Sequence, residues 1–244
     1  MEYKRSKKWV STLNNMGYMS LTIDPFTKKF IDFCEKNPGI KVFEGGAAYG
    51  IATHLALRKG ALVTANDSEQ RHLDLLYKYT PQNLLPALAL APGTLPYDVN
   101  FPDNTYEAIY SSRMIHFLRG EEVEACMNRF FNWLKPGGKI FIVAESPYLG
   151  CYSSFISAYE ERKKQGDPWP GLLKDTSPFK SIRYNNIPHF LNFFDVEIMK
   201  RVSKQAGFKV EVCEFINRKD FPPEIRYDGR ESVGLIATKP LTFS

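Results

Sequence analysis

A doubly wound α/β domain is predicted, with a seven-stranded, mostly parallel sheet, helices on both faces and a helical insertion, and three observations predict it. Between residues 40 and 145, short apolar runs that end in turns alternate with amphipathic segments, the pattern of βαβ units. The first of these runs passes into a glycine-rich turn that opens a helix. Near the end, two more apolar runs are joined by a loop short enough to pair them antiparallel, so the last strand is the exception in the sheet.

The first strand is expected at residues 40–43, followed by a helix at 51–58 with Gly60 as its stop and a second strand at 62–65. Residues 70–79 carry Leu73, Leu76 and Tyr77 at helical spacing, and Pro81 ends that helix. The third strand lies near 87–91, and Pro92-Gly93 then turns the chain. A strand at 108–111, a helix at 121–133, a turn at Pro136-Gly137-Gly138 and a strand at 139–144 complete five parallel strands, which need helices on both faces. After Glu145 the rhythm breaks for about fifty aromatic-rich residues, a length that in a compact domain marks a functional lid, with one helix expected at 153–164. A helix at 195–205 stops at Gly207, and the final strands fall at 208–215 and 233–238, with Pro222-Pro223 between them. Residues 1–36 read as a helical prelude with no strand partner. One domain is therefore expected over 1–244: that prelude, a principal core over 37–146, the insertion over 147–193 and the rest of the core over 194–244.

With 43% hydrophobic residues the chain lies far from the composition of disordered segments. Its four cysteines (Cys34, Cys126, Cys151 and Cys213) lack the spacing of a zinc site or redox pair, so they are expected to be buried thiols, and no metal is expected. The charged start is followed by no apolar run fit for a signal or a membrane span, which predicts a cytoplasmic protein. The net charge of +5 draws on clusters at Lys4, Arg5, Lys7 and Lys8 and at Arg162, Lys163 and Lys164, which read as solvated helix faces. They are too sparse for a nucleic-acid surface, so a small molecule is the expected partner.

The stretch from Val42 to Gly50 is an apolar strand that ends in Glu44 and then in a turn of small residues, Gly45-Gly46-Ala47-Ala48. Small residues let a ligand approach the backbone, and the N–H groups of the following helix face what binds there. A dinucleotide fingerprint is only partly matched by Gly45, Ala47 and Gly50. Glu44 weighs against a pyrophosphate, because an acid there repels an anion and welcomes a cationic ligand such as S-adenosylmethionine. Asn66-Asp67 ends the second strand 23 residues after Glu44, where a carboxylate can take both hydroxyls of a ribose, or where Asp67 or Ser68 can cap a helix.

The run acid-x-Gly-x-Gly-x-Gly, carried by Glu44, Gly46 and Gly50 with Ala48 in the middle glycine position, resembles the class I, Rossmann-like S-adenosylmethionine-dependent methyltransferases. The resemblance extends through Phe101-Pro102-Asp103-Asn104-Thr105-Tyr106, Arg113-Met114-Ile115-His116-Phe117-Leu118, Trp133-Leu134-Lys135-Pro136-Gly137-Gly138 and Gln205-Ala206-Gly207-Phe208, and covers roughly residues 35–146 and 194–238. It implies the small-molecule branch of that family and a cofactor site made of Glu44, Gly45, Gly46, Ala47, Gly50, Asp67, Ser68, Thr94, Leu95 and Ser111. Asp67 would bind the adenosine ribose and the Leu95 N–H the adenine edge, while Thr94 stands where the family commonly has an acid. S-adenosylhomocysteine would be the product.

Ligands in such folds sit beyond the carboxyl ends of the strands, next to Arg113 and His116. His116 is the candidate base or acceptor-orienting group, Arg113 is a candidate to bind an acidic substrate or else to pair with a surface carboxylate, and Tyr148 is a second candidate substrate-binding residue. The base-modifying Asn/Asp-Pro-Pro-aromatic run is replaced by Ser111-Ser112-Arg113-Met114, which disfavours flipped-base chemistry. Methylation of protein or RNA, or a catalytically silent cofactor-binding module, are the alternatives.

Overall fold

The computed structural model describes residues 9–179 and 188–241. The basic cluster from Lys4 to Lys8 and the insertion's Tyr184 lie outside the described residues. The chain begins with a hairpin, β1 (Trp9–Ser11) and β2 (Tyr18–Ser20), followed by α1 (Pro25–Lys36) and β3 (Lys41–Gly45). It continues through α2 (Ile51–Arg58), β4 (Leu62–Asp67), α3 (Gln70–Tyr79), β5 (Leu88–Pro92), β6 (Tyr106–Ser112), α4 (Gly120–Trp133) and β7 (Leu134–Glu145). The insertion holds α5 (Ser153–Lys164) and the short pair β8 (Leu172–Leu173) and β9 (Leu191–Asn192); α6 (Val196–Gln205), β10 (Lys209–Ile216) and β11 (Ser232–Thr238) follow.

Seven strands form one sheet in the order β10-β11-β7-β6-β3-β4-β5, with β11 antiparallel to both of its neighbours and the other contiguous pairs parallel. This is the expected Rossmann-like arrangement, and β3 and β6 flank its switch point. Alternation along each strand sends successive residues to opposite layers. Phe43, Ile109, Ile142 and Leu235 pack under α4 and α6, through Met127, Phe130 and Met199 among others. Val42, Ala108, Phe141 and Ile236 pack under α1 and α2, against Phe30, Ala56 and Leu57.

Two expectations need correction. The prelude is not wholly helical: a hairpin precedes α1, and Asp24 caps that helix by accepting hydrogen bonds from the Phe26 and Thr27 N–H groups. Pro136-Gly137-Gly138 is part of the β7 ladder's irregular start, since Leu134 already pairs with Tyr106 before the register shifts and Gly137 takes φ +78°. The cluster Arg162 to Lys164 ends α5 as a set of cross-links: Lys163 reaches Asp195 at 2.6 Å and Arg162 donates to the Leu172 carbonyl at 2.9 Å. Cys34 and Cys126 are buried, whereas Cys151 and Cys213 are half-buried. Among the described residues no helix is long and apolar enough to cross a membrane.

Candidate cofactor and acceptor site

A cavity of about 660 Å³ opens beyond the carboxyl ends of β3, β4, β6 and β7 and is roofed by the N-terminal hairpin and the insertion. Of the residues singled out in the sequence, Glu44, Gly46, Ala47, Asp67, Ser68, Thr94, Leu95, Arg113 and His116 line it.

At one end, the loop after β3 turns through three left-handed residues, Gly46 (φ +76°), Ala48 (φ +47°) and Gly50 (φ +75°). A Cβ on Gly46 would fall 2.7 Å from the Met114 side chain, so the loop after β6 sits directly on it. Alanine at position 48 bears the steric penalty that its conformation imposes, about 1–2 kcal/mol, partly offset in glycine by chain entropy. Ala48→Gly is therefore expected to stabilise the fold by about 0.5–1 kcal/mol, raising Tm by roughly 2–4 °C in a thermal melt; an unchanged or lower Tm would show that the turn is relaxed.

Asp67 is buried and fixed: its Oδ2 accepts from the Ala48 N–H at 2.8 Å, and its Oδ1 from the Glu69 N–H at 2.9 Å and from His72 at 3.1 Å. The helix-cap role considered for Asp67 or Ser68 belongs to Glu69, whose carboxylate accepts from the Arg71 N–H. Asn66 donates to the Ala91 and Gly93 carbonyls at 2.7 and 2.8 Å and so sets the loop that presents Thr94 and Leu95. The exposed Asp98 steadies this loop by accepting from the Thr94 N–H at 2.9 Å. Glu44 accepts from the Thr53 hydroxyl, and burial, opposed by that bond and reinforced by Asp67, pushes its carboxyl up to about 7. This end is thus a cluster of buried carboxylates.

At the other end, Arg113 takes φ +59° and donates through Nε to Glu145 Oε1 at 2.5 Å, while its guanidinium lies over the rings of Trp9 and Phe221. Arg218 is held by Asp220 through two 3.0 Å bonds and also lines the cavity. Burial raises Glu145, but Arg113, His116, Arg218 and the Ser232 hydroxyl outweigh it and hold the group below its ordinary value. His116 Nδ1 accepts from the Glu145 N–H at 3.3 Å, which leaves Nε2 carrying the proton as a donor. Burial, opposed by Glu145 and helped by Arg113, takes its pKa down to about 4. Tyr110 donates to Thr27, whose own hydroxyl donates to Asp24, and burial next to Asp24 and Glu44 keeps the phenol well above its ordinary range.

Four residues singled out in the sequence do not line the cavity. Gly45 and Ser111 hold each other: the Ser111 hydroxyl donates to the Gly45 carbonyl at 3.0 Å, and a Cβ at Gly45 would meet Leu95. Gly50 makes room for α3, since a Cβ there would lie 2.0 Å from the Leu76 side chain. Tyr148 is buried inside the insertion, donating to Glu160 beneath the Arg230 guanidinium, so it is not placed to touch a substrate. Sequence reasoning missed the hairpin, His72, Glu145, Tyr110 and Arg218. The spacing Asn14-Asn15-Met16-Gly17 was the one signal for the hairpin, because Asn15 (φ 57°) and Gly17 (φ 113°) are residue types that accept such turns.

Residues 43–142 match the family described as a methyltransferase domain. Phosphoethanolamine N-methyltransferase 1 of Zea mays is 30% identical over 204 residues, covering 81% of this chain and 40% of that protein. Phosphoethanolamine N-methyltransferase 3 of Arabidopsis thaliana is 32% identical over 134 residues, covering 52% and 25%. The chain spans less than half the length of these curated relatives. An S-adenosylmethionine-dependent methyltransferase structure from Mesorhizobium loti superposes with a TM-score of 0.62 at 15% identity, covering 87% of this chain and 97% of that one, which establishes the shared fold. Residues 43–142 thus match a methyltransferase domain, set in a fold shared with S-adenosylmethionine-dependent methyltransferases, and the cofactor to test against the cavity is S-adenosylmethionine.

The residues present fit that group. An ammonium and a sulfonium suit the carboxylate cluster, and each Asp67 oxygen can accept two hydrogen bonds, which leaves Oδ2 a place for a ribose hydroxyl. A pH dependence follows from Glu44. Between its ordinary 4.5 and about 7, the folded ligand-free protein keeps a proton that the unfolded chain releases, so stability falls as pH rises through that window. A cationic ligand favours the carboxylate, so affinity for S-adenosylmethionine is expected to rise over the same window with release of a proton. Melts and calorimetry from pH 5 to 7.5 check this; Glu44→Gln should remove both slopes, and slopes that survive it would assign them to another group.

Proposed function

We propose that the protein transfers a methyl group from S-adenosylmethionine to a small polar molecule bearing an amine and an acidic group, with phosphoethanolamine the first acceptor to try. The observation that carries this reading is the roofed cavity, which joins the carboxylate end at Glu44 and Asp67 to an end walled by Arg113 and Arg218. The named relatives, which are phosphoethanolamine N-methyltransferases, support it.

When bound, the cofactor supplies a methyl carbon already activated by its sulfonium. The protein's part is alignment and exclusion of water. Arg113 and Arg218 attract the acidic group of the acceptor, whose amine must enter as the neutral base with its lone pair free and return its surplus proton to water after the transfer. His116, neutral above about pH 4 with Nε2–H as a donor, orients the acceptor and does not serve as its base. The hairpin covers part of the cavity, which favours a small acceptor over an RNA or a folded protein.

The test is a screen of phosphoethanolamine, its N-methylated derivatives, ethanolamine and small amino acids for release of S-adenosylhomocysteine. Turnover of amines that carry an acidic group is expected; turnover confined to RNA or protein fractions would overturn the reading. With the acceptor found, His116→Asn should lower kcat roughly 10–100-fold, with cofactor affinity and the pH–rate profile unchanged. Loss of an ionisation from that profile would make His116 the base after all.

A further inference from the structure

The N-terminal hairpin is fastened to the cofactor end at the loop between its strands. The Leu13 N–H donates to His72 Nε2 at 2.9 Å, Arg71 donates to the Leu13 carbonyl at 2.8 Å, and Tyr49 donates to the Ser11 carbonyl at 2.7 Å. His72 is the one of these partners that also touches the carboxylate facing the ribose position. It lies on α3, is 1% exposed, and its Nδ1 sits 3.1 Å from Asp67 Oδ1. Both contacts fix the state of the ring. Nε2 accepts from a backbone N–H and so carries the lone pair, which places the proton on Nδ1, where it can only be donated to Asp67. The imidazole is therefore a rigid two-ended link, with no rotatable bond between the group that holds Asp67 and the group that holds Leu13.

We propose that His72 is a positioning residue that couples seating of the cofactor's ribose on Asp67 to closure of the hairpin over the cavity. Asp67 Oδ1 is shared by His72 and the Glu69 N–H, and Oδ2 accepts from the Ala48 N–H, so His72 supplies one of the three bonds that set the carboxylate and is the only side chain among them. His72 in turn stays in place while Leu13 is docked, packed edge-on against Tyr49 of the cofactor loop. A ligand that binds Asp67 favours the docked hairpin, and by linkage the docked hairpin raises the affinity for that ligand by the same factor. The inference rests on the methyltransferase reading only for the identity of the ligand, because the link itself belongs to the free protein.

Two substitutions separate the two ends of the ring. In His72→Asn the side-chain amide occupies the place of Nδ1 and can still donate to Asp67, but it does not reach Leu13. In His72→Gln the side-chain oxygen occupies the place of Nε2 and can still accept from Leu13, but the bond to Asp67 is lost. Amide hydrogen exchange at Leu13 and calorimetry with S-adenosylhomocysteine are measured on the full chain, with exchange at Ile109 in the sheet as the control for folding. In the free protein, His72→Asn is expected to speed Leu13 exchange at least tenfold, while His72→Gln keeps it within threefold of the parent. Ligand is expected to slow Leu13 exchange at least tenfold in the parent and to leave it unchanged in His72→Asn, with affinity lowered 3- to 10-fold in both variants. Equal Leu13 exchange in the parent and in His72→Asn would overturn the link, as would ligand-induced protection that survives His72→Asn. Failure of the parent to bind S-adenosylhomocysteine would instead overturn the methyltransferase reading, and the free-protein comparison would still judge the link.

Discussion

Replacing Asp67 by alanine is expected to weaken binding of S-adenosylhomocysteine by two orders of magnitude or more in a protein that remains folded. A hydrogen bond to a charged group contributes about 1.5–3 kcal/mol, or roughly 10- to 150-fold in affinity. The substitution removes more than the bonds to the ribose, because the same carboxylate accepts from the Ala48 and Glu69 N–H groups and from His72. Ala48 carries a left-handed backbone that this contact helps to hold, so the cofactor loop loses a restraint as well as a ligand. Asp67→Asn, which keeps the shape and one acceptor oxygen, should fall between parent and alanine. Calorimetry together with a circular dichroism melt checks the result; an affinity within threefold of the parent would remove Asp67 from the cofactor site.

The largest loss of stability is expected from Arg113→Leu. Its guanidinium neutralises Glu145, which is buried next to His116 and Ser232. Removing one member of a buried ion pair strands the other charge, a change that costs about 3–5 kcal/mol and corresponds to a fall in Tm on the order of 10 °C. The sign of its pH dependence follows. Arg113 helps to hold Glu145 below its ordinary value, so that part of the pair's stabilisation is present at neutral pH and is lost as the carboxylate takes up a proton in acid. The gap between parent and variant should therefore narrow toward pH 4. Adding Glu145→Gln to Arg113→Leu should recover most of the loss, and a double-mutant cycle measures the coupling. Additive effects would show that the two groups act independently.

The sheet was legible because its signals are local. Apolar runs, Gly60, Pro81 and Gly207 each mark a boundary within a few residues, and the helix limits at 51–58, 70–79 and 153–164 agree with α2, α3 and α5. The carboxylate end was legible for the same reason, since Glu44 and Asp67 stand at the ends of two adjacent strands that any reading of the alternation brings together. The end of the cavity that carries the arginines was not. Arg113, Glu145 and Arg218 come from three separate parts of the chain, and no spacing relates them. Tyr148 misled because an aromatic next to a strand end satisfies a wall and a core equally well, and the insertion has a core of its own, with Tyr152, Tyr159 and Phe193 around it. The hairpin escaped because strands of three residues carry too little alternation to register, and its partners, Arg71, His72 and Asp220, are far away in sequence.

The position of β11 sets the order in which the molecule can be assembled during synthesis. This late strand, buried at every residue but Thr238, is inserted between β10 and β7, pairing Ser232 with Glu145 and Thr238 with Lys139. Pairings across such sequence separations form late, after the loop between them has been closed. The ribosome therefore releases β3, β4 and β5, the carboxylate end of the cavity, well before the strand that joins β10 to the rest of the sheet. Arg218 and Phe221 also emerge after that end is in place, so a nascent chain holds the cavity's carboxylate wall before it holds the wall that carries Arg218. A cut just before β11 would open the sheet at an inner position, with β7 left as a bare edge, and would release a protein prone to pairing with copies of itself instead of one that is merely shorter.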